Sequence, residues 1–81
     1  MEDLYEDIEA LYRQQLGAAV RSAREAQGLS LRSLALMSDV DFKYLWKLER
    51  GNANVTINVL VRLSSALGVK VSSLFAFELE R

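Results

Sequence analysis

The chain has no cysteine, no histidine and no proline, and only four glycines in 81 residues. Without cysteine there is no disulfide to staple the fold and no thiol nucleophile. Without histidine it lacks the commonest metal ligand and the side chain best suited to proton transfer near neutral pH. Serines are plentiful, yet no imidazole is present to activate one. No glycine-rich phosphate loop occurs. Paired carboxylates are confined to the N-terminal stretch and to Asp39 with Asp41, and a domain this small is not expected to build a pocket around either pair. Glu2, Asp3, Glu6 and Asp7 lack the spacing of a calcium loop. Enzymatic, metal and cofactor functions are therefore not expected. No apolar run approaches the ~20 residues of a membrane span, and the start Met1-Glu2-Asp3 carries the opposite charge from a secretory signal. The expectation is a cytoplasmic, nucleoid-associated protein of bacterial type.

What is present points to helices. An apolar content of 51% suffices for one small core. A proline-free chain rich in Leu, Ala, Ser, Arg and Glu leans helical. The net charge of −1 conceals a strong asymmetry: residues 1–12 carry −5, residues 13–50 carry +3 and residues 51–81 carry +1. The acidity sits at the N-terminus, and the middle of the chain is basic.

Residues 1–14 read as an acidic amphipathic helical arm with Leu4, Ile8 and Leu11 on one stripe. The arm is either a solvated extension or a surface for oligomerisation or a protein partner. Residues 15–81 read as the domain proper. Its first helix is expected at about 16–27, with Leu16, Val20 and Ala23 inward. Gly17 marks either a close helix contact or a break from the arm, and Gly28 ends the helix. Ser30 caps a second helix at about 31–37, Asp39 takes the tight position of the turn, and Asp41 caps a third helix at about 42–50, ended by Gly51. Thr56 caps a fourth at about 57–67, with Ile57, Leu60, Leu63, Ser64 and Leu67 inward. A last helix is expected at about 71–80, with Leu74 and Phe75 inward. The third helix has two unlike faces: Leu45 and Leu48 share one, while Phe42, Lys43, Trp46 and Lys47 occupy another.

Several of these blocks, in register, resemble one family. The stretch from Leu16 to Ser30, then Leu34-Ala35, then Tyr44 to Gly51, Leu60 to Leu63, Ala66 to Val69 and Leu74-Phe75 is similar to the Cro/repressor-type (Xre-like) helix-turn-helix regulators. The resemblance covers about residues 16–75, and Glu49-Arg50-Gly51 with Ala66-Leu67-Gly68-Val69 carries most of its specificity. It implies an all-α, five-helix repressor-like DNA-binding domain, here with an additional N-terminal helical arm and a helix-turn-helix unit at about 30–50. It implies that the third helix enters the major groove and the second braces it across the backbone. Carried over by position, Phe42, Lys43, Trp46 and Lys47 meet base edges, with Tyr44 on the same helix. Ser30, Arg32 and Ser33 sit at phosphates, and Arg50 with the N–H groups near Asn52 clamps the strand from the other side. Arg24 and Glu49 correspond to a structural ion pair. The sequence departs from the family pattern at Leu31, where glutamine often supplies a phosphate contact, at Asp39, where glycine is common, and at Phe42 and Trp46, where small or polar residues are usual.

The function implied is a sequence-specific transcription regulator of bacterial or phage type, bound as a homodimer to a palindromic operator in double-stranded DNA. Its size resembles that of the small controller proteins of restriction–modification systems; an antitoxin or phage repressor fits equally well. Dimer candidates are Val55, Val59, Phe77 and Leu79, or the arm stripe. The alternative is a helix-turn-helix module that binds protein and not DNA, for which Leu31, Leu36, Met37, Phe42 and Trp46 offer apolar surface. The two aromatics have three readings at this point: facing DNA, facing a protein, or folded onto the core.

Overall fold

Most helix ends are set by residues next to them. Ser30, Asp41 and Thr56 turn a side-chain oxygen onto the backbone N–H three residues on, at 3.0, 3.1 and 3.2 Å. Each satisfies a donor that the first helical turn leaves orphaned. The opposite ends share a second device. Gly28, Asp39, Gly51 and Gly68 adopt positive φ. The residue after each returns its N–H to a carbonyl five positions back: Leu29 to Arg24, Val40 to Ala35, Asn52 to Lys47 and Val69 to Ser64. This is the Schellman arrangement. Asp39 reaches the left-handed region without being glycine, at φ 54° and ψ 42°. Arg62 Nη1 donates to its carbonyl oxygen at 2.9 Å, which ties the turn to the fourth helix.

The computed structural model describes residues 2–78. The elements are α1 (Glu2–Ala26), α2 (Leu31–Ser38), α3 (Phe42–Glu49), α4 (Ile57–Leu67) and a 3₁₀ helix (Val71–Phe75). The class is all-α and repressor-like, as the sequence implied. Two boundaries differ from expectation. The arm and the first domain helix are one uninterrupted helix of 25 residues, about 37 Å long at 1.5 Å per residue. That length matches the longest dimension of the molecule, 39 × 23 × 19 Å. The last helix, expected to reach residue 80, is a 3₁₀ helix of five residues. Lys70 gives it no side-chain cap, Val71, Ser72 and Ser73 are weak helix formers, and only Leu74 is buried there.

The core draws Leu16 and Val20 from α1, Leu34 and Ala35 from α2, Leu45 and Leu48 from α3, and Leu60, Leu63 and Leu67 from α4. Leu74 closes one end, while Val40 from the turn and Ala53 from the loop complete it. α3 packs on α1 and α2, α2 packs on α4, and the 3₁₀ helix packs on α1 and α4. Ile57, expected inside, is 72% exposed: it lies in the first turn of α4, where nothing packs over it. Phe75, also expected inside, stays at the surface tilted against Phe77, with ring centroids 6.0 Å apart.

Gly17 marks a close helix contact inside the unbroken α1. It is buried where α1 crosses the C-terminal end of α3. A Cβ at Gly17 would lie 2.8 Å from the Glu49 carbonyl oxygen, and closer still to that of Leu48. Backbone oxygens cannot swing aside as a side chain can. Gly17→Ala gains helix propensity of about 0.5–1 kcal/mol but forces the helices apart, at about 1–3 kcal/mol. The expected net result is a lower urea midpoint; a higher one would show that α1 and α3 do not approach this closely.

Candidate nucleic-acid interface

α3 is fixed from its inner face. Leu45 and Leu48 are fully buried. Glu49, at its last turn, receives Arg24 Nε at 2.8 Å and Nη2 at 3.0 Å, one on each carboxylate oxygen. Arg24 Nη1 donates to the Leu29 carbonyl at 2.8 Å, so one guanidinium ties α1, the α1–α2 turn and α3 together. The two side chains are only 13% and 7% exposed. The Glu49 hydrogen bond raises the Arg24 pKa above its ordinary value, with burial opposing. The guanidinium is therefore charged throughout the working pH range.

The side chains named from the sequence fall in three groups. Phe42, Lys43, Trp46 and Lys47 are all exposed, along one strip of α3. The aromatics do not fold onto the core; they are 37% and 44% exposed. Lys43 and Lys47 form no ion pair among the described residues. The second group flanks that strip. Arg32 and Arg50 are exposed, and the Arg32 guanidinium carbon lies 4.8 Å from the Phe42 ring centroid. The Arg50 guanidinium carbon lies 4.1 Å from that of Trp46. Ser30 is exposed and its hydroxyl donates to Ser33 Oγ at 2.9 Å, so both serines stand at the first turn of α2.

The third group is placed differently from expectation. Tyr44 is half-buried and its hydroxyl donates to the Asn54 carbonyl, which holds the loop after α3. Burial pushes the pKa of this phenol above the ordinary tyrosine value. Around Asn52, the N–H groups expected to grip phosphate are already spent. Gly51 N–H goes to the Leu48 carbonyl at 3.0 Å and Asn52 N–H to the Lys47 carbonyl at 2.9 Å. Helix termination consumes these two donors, and the Asn52 side chain stays exposed.

Among the dimer candidates, Val55 and Val59 are partly buried against the core. Phe77 is half-buried and meets Tyr12 edge-on, with centroids 5.9 Å apart. Leu79 lies outside the described residues. Leu4 and Leu11 are exposed on α1. A groove of about 320 Å³ is lined by Tyr12, Leu16, Val55, Leu60 and Phe75 among others. On α2, Leu36 and Met37 are exposed. No helix among the described residues is long and apolar enough to cross a membrane.

A capped helix, a tight turn and a second helix with a buried inner and basic outer face define a helix-turn-helix protein. The comparisons agree. A match to the Helix-turn-helix family HTH_3 spans residues 20–74, and the chain belongs to that family of Xre/Cro-like regulators. It is 36% identical over 64 residues to the HTH-type transcriptional regulator SlrR of Bacillus subtilis (strain 168). That alignment covers 78% of this chain and 42% of SlrR, so the chain spans less than half the length of that relative. Among solved structures it is similar to the clp gene regulator ClgR of C. glutamicum, at 42% identity and a TM-score of 0.74, covering 79% of this chain and 83% of that one. It is also similar to the restriction-modification controller protein C.AhdI of Aeromonas hydrophila, at 35% identity and a TM-score of 0.75, covering 76% and 94%.

Sequence reasoning missed the arginine–aromatic stacking. Trp46 and Arg50 stand four apart, a spacing that permits contact across a helix end. Arg32 and Phe42 stand ten apart on two helices, and no local pattern signals their pairing. The Arg62 contact to the turn at Asp39 was equally invisible.

Proposed function

We propose that this chain is a sequence-specific DNA-binding transcription regulator of bacterial or phage type that places α3 in the major groove as a homodimer on a palindromic operator. The observation that carries the reading is the free pair Lys43 and Lys47, on a helix whose opposite face is locked by Leu45, Leu48 and the Arg24–Glu49 pair. Lysine can donate to guanine O6 and N7, and a fixed helix delivers those donors at fixed spacing. Arg21, Arg32 and Arg50 add positive charge for phosphates. One short helix reads few base pairs, so two copies on half-sites ~34 Å apart are expected.

Titrating salt against binding to a palindromic duplex tests the reading. Three arginines at phosphates in each of two protomers give a log-log slope of about −5. Sedimentation of the same complex is expected to show two protomers per duplex. Absence of binding at ~50 mM salt would sink the DNA reading and favour a protein partner for the exposed Leu36 and Met37.

A further inference from the structure

The outer strip of α3 carries two rings, and each ring has an arginine over its face. The arginines come from different places. Arg32 is in the first turn of α2, and Arg50 is the C-cap of α3. Neither forms an ion pair with a carboxylate among the described residues. For Arg50 the reason is visible: the neighbouring Glu49 has both oxygens committed to Arg24. For Arg32, Asp39 and Asp41 line the same depression, about 300 Å³ in volume, but neither bonds it. Asp41 instead accepts the Tyr44 N–H.

We infer that Phe42 and Trp46 are positioning residues which hold the guanidinium groups of Arg32 and Arg50 flat against α3, aimed at the phosphates on either side of the lysines, and that they do not themselves read bases. The inference rests on the DNA-binding function proposed above. Stacking occupies the face of a guanidinium and leaves its in-plane N–H donors free, and those donors match phosphate geometry. An unstacked arginine on an exposed helix end samples many rotamers, and binding must then pay to order it. A stacked one is already ordered. The Arg50 guanidinium also borders a depression of about 200 Å³ shared with Arg21, Leu31 and Trp46, beside the first turn of α2. This stacking accounts for aromatics at positions where the family usually has small or polar residues.

The test uses the full chain and a duplex recovered by selection from random DNA. Operator affinity is measured at several salt concentrations for Trp46→Leu, Arg50→Ala and the double variant. Each single change is expected to weaken binding about 3- to 10-fold, as for one side chain left to be ordered or lost. The double variant is expected to be no weaker than the weaker single. In Arg50→Ala and the double variant the log-log slope becomes less steep by about 0.9 per protomer, because a charge at a phosphate is lost; in Trp46→Leu, which keeps the Arg50 charge, the slope stays that of the wild type. Base preferences stay unchanged in all three, and Trp46→Phe restores most of the affinity. If the single losses multiply in the double variant, or Trp46→Leu shifts base preference, Trp46 reads bases; the positioning role then falls and the DNA reading stands. A wild-type chain that binds no duplex at ~50 mM salt sinks both. Phe42→Leu with Arg32→Ala repeats the cycle at the other ring, so the inference stays testable if circular dichroism shows Trp46→Leu to be unfolded.

Discussion

Glu49→Ala is expected to remove about 3–5 kcal/mol of folding stability, the cost of leaving one partner of a buried ion pair behind. A domain of this size has about 4–12 kcal/mol in all, so the loss is a quarter or more of the whole and unfolds a chain at the lower end of that range. The magnitude follows from burial: the paired side chains are 13% and 7% exposed, and the contact is bidentate at 2.8 and 3.0 Å. Exposed pairs such as Arg13–Glu9 and Arg21–Glu25, at 3.4 and 3.5 Å on the surface of α1, contribute at most about 1 kcal/mol each. Arg24→Met is expected to cost at least as much as Glu49→Ala, because the Leu29 carbonyl also loses its donor. Replacing both residues with apolar ones is expected to cost less than either single change, since no charge is left uncompensated. Urea denaturation followed by circular dichroism measures all three. A loss below about 1 kcal/mol for Glu49→Ala would show that water reaches the pair.

Lys43→Ala combined with Lys47→Ala is expected to weaken operator binding by about 30-fold or more while leaving the fold intact. Each lysine contact to a base edge is worth about 1–3 kcal/mol of discrimination. The two lysines are one helical turn apart, so their effects need not add. Neither lysine touches the core or an ion pair among the described residues. Lys47 lies in the last turn of α3, where a cation contributes about 0.3–1 kcal/mol through the helix dipole; the unfolding midpoint should move by no more than that. Fluorescence anisotropy against a selected duplex, with a urea midpoint on the same sample, separates the two effects. Unchanged affinity in a folded double variant would remove α3 as the reading element. This outcome is distinct from that of the Trp46–Arg50 cycle, which alters phosphate contacts and leaves base preference alone.

The sequence by itself determined the C-terminal end of α1, both ends of α2, α3 and α4, and the leucines that these helices turn inward. Ser30, Asp41 and Thr56 reach a donor three residues away, and Gly28, Asp39, Gly51 and Gly68 close carbonyls within one turn. Such bonds form inside a single helix terminus, so local spacing specifies them. The leucine stripes are likewise local, because residues three and four apart share a face whatever the helix packs on. The tertiary structure alone decided what depends on the distance between helices. Gly17 could have marked a break or a contact; only the approach of the Leu48 and Glu49 carbonyls shows which. Ile57 continues the stripe of α4 but is exposed, because periodicity gives the direction of a side chain and not whether a neighbour covers it. Arg32 met Phe42 for the same reason in reverse: two residues with no local relation share a surface once α2 and α3 are docked.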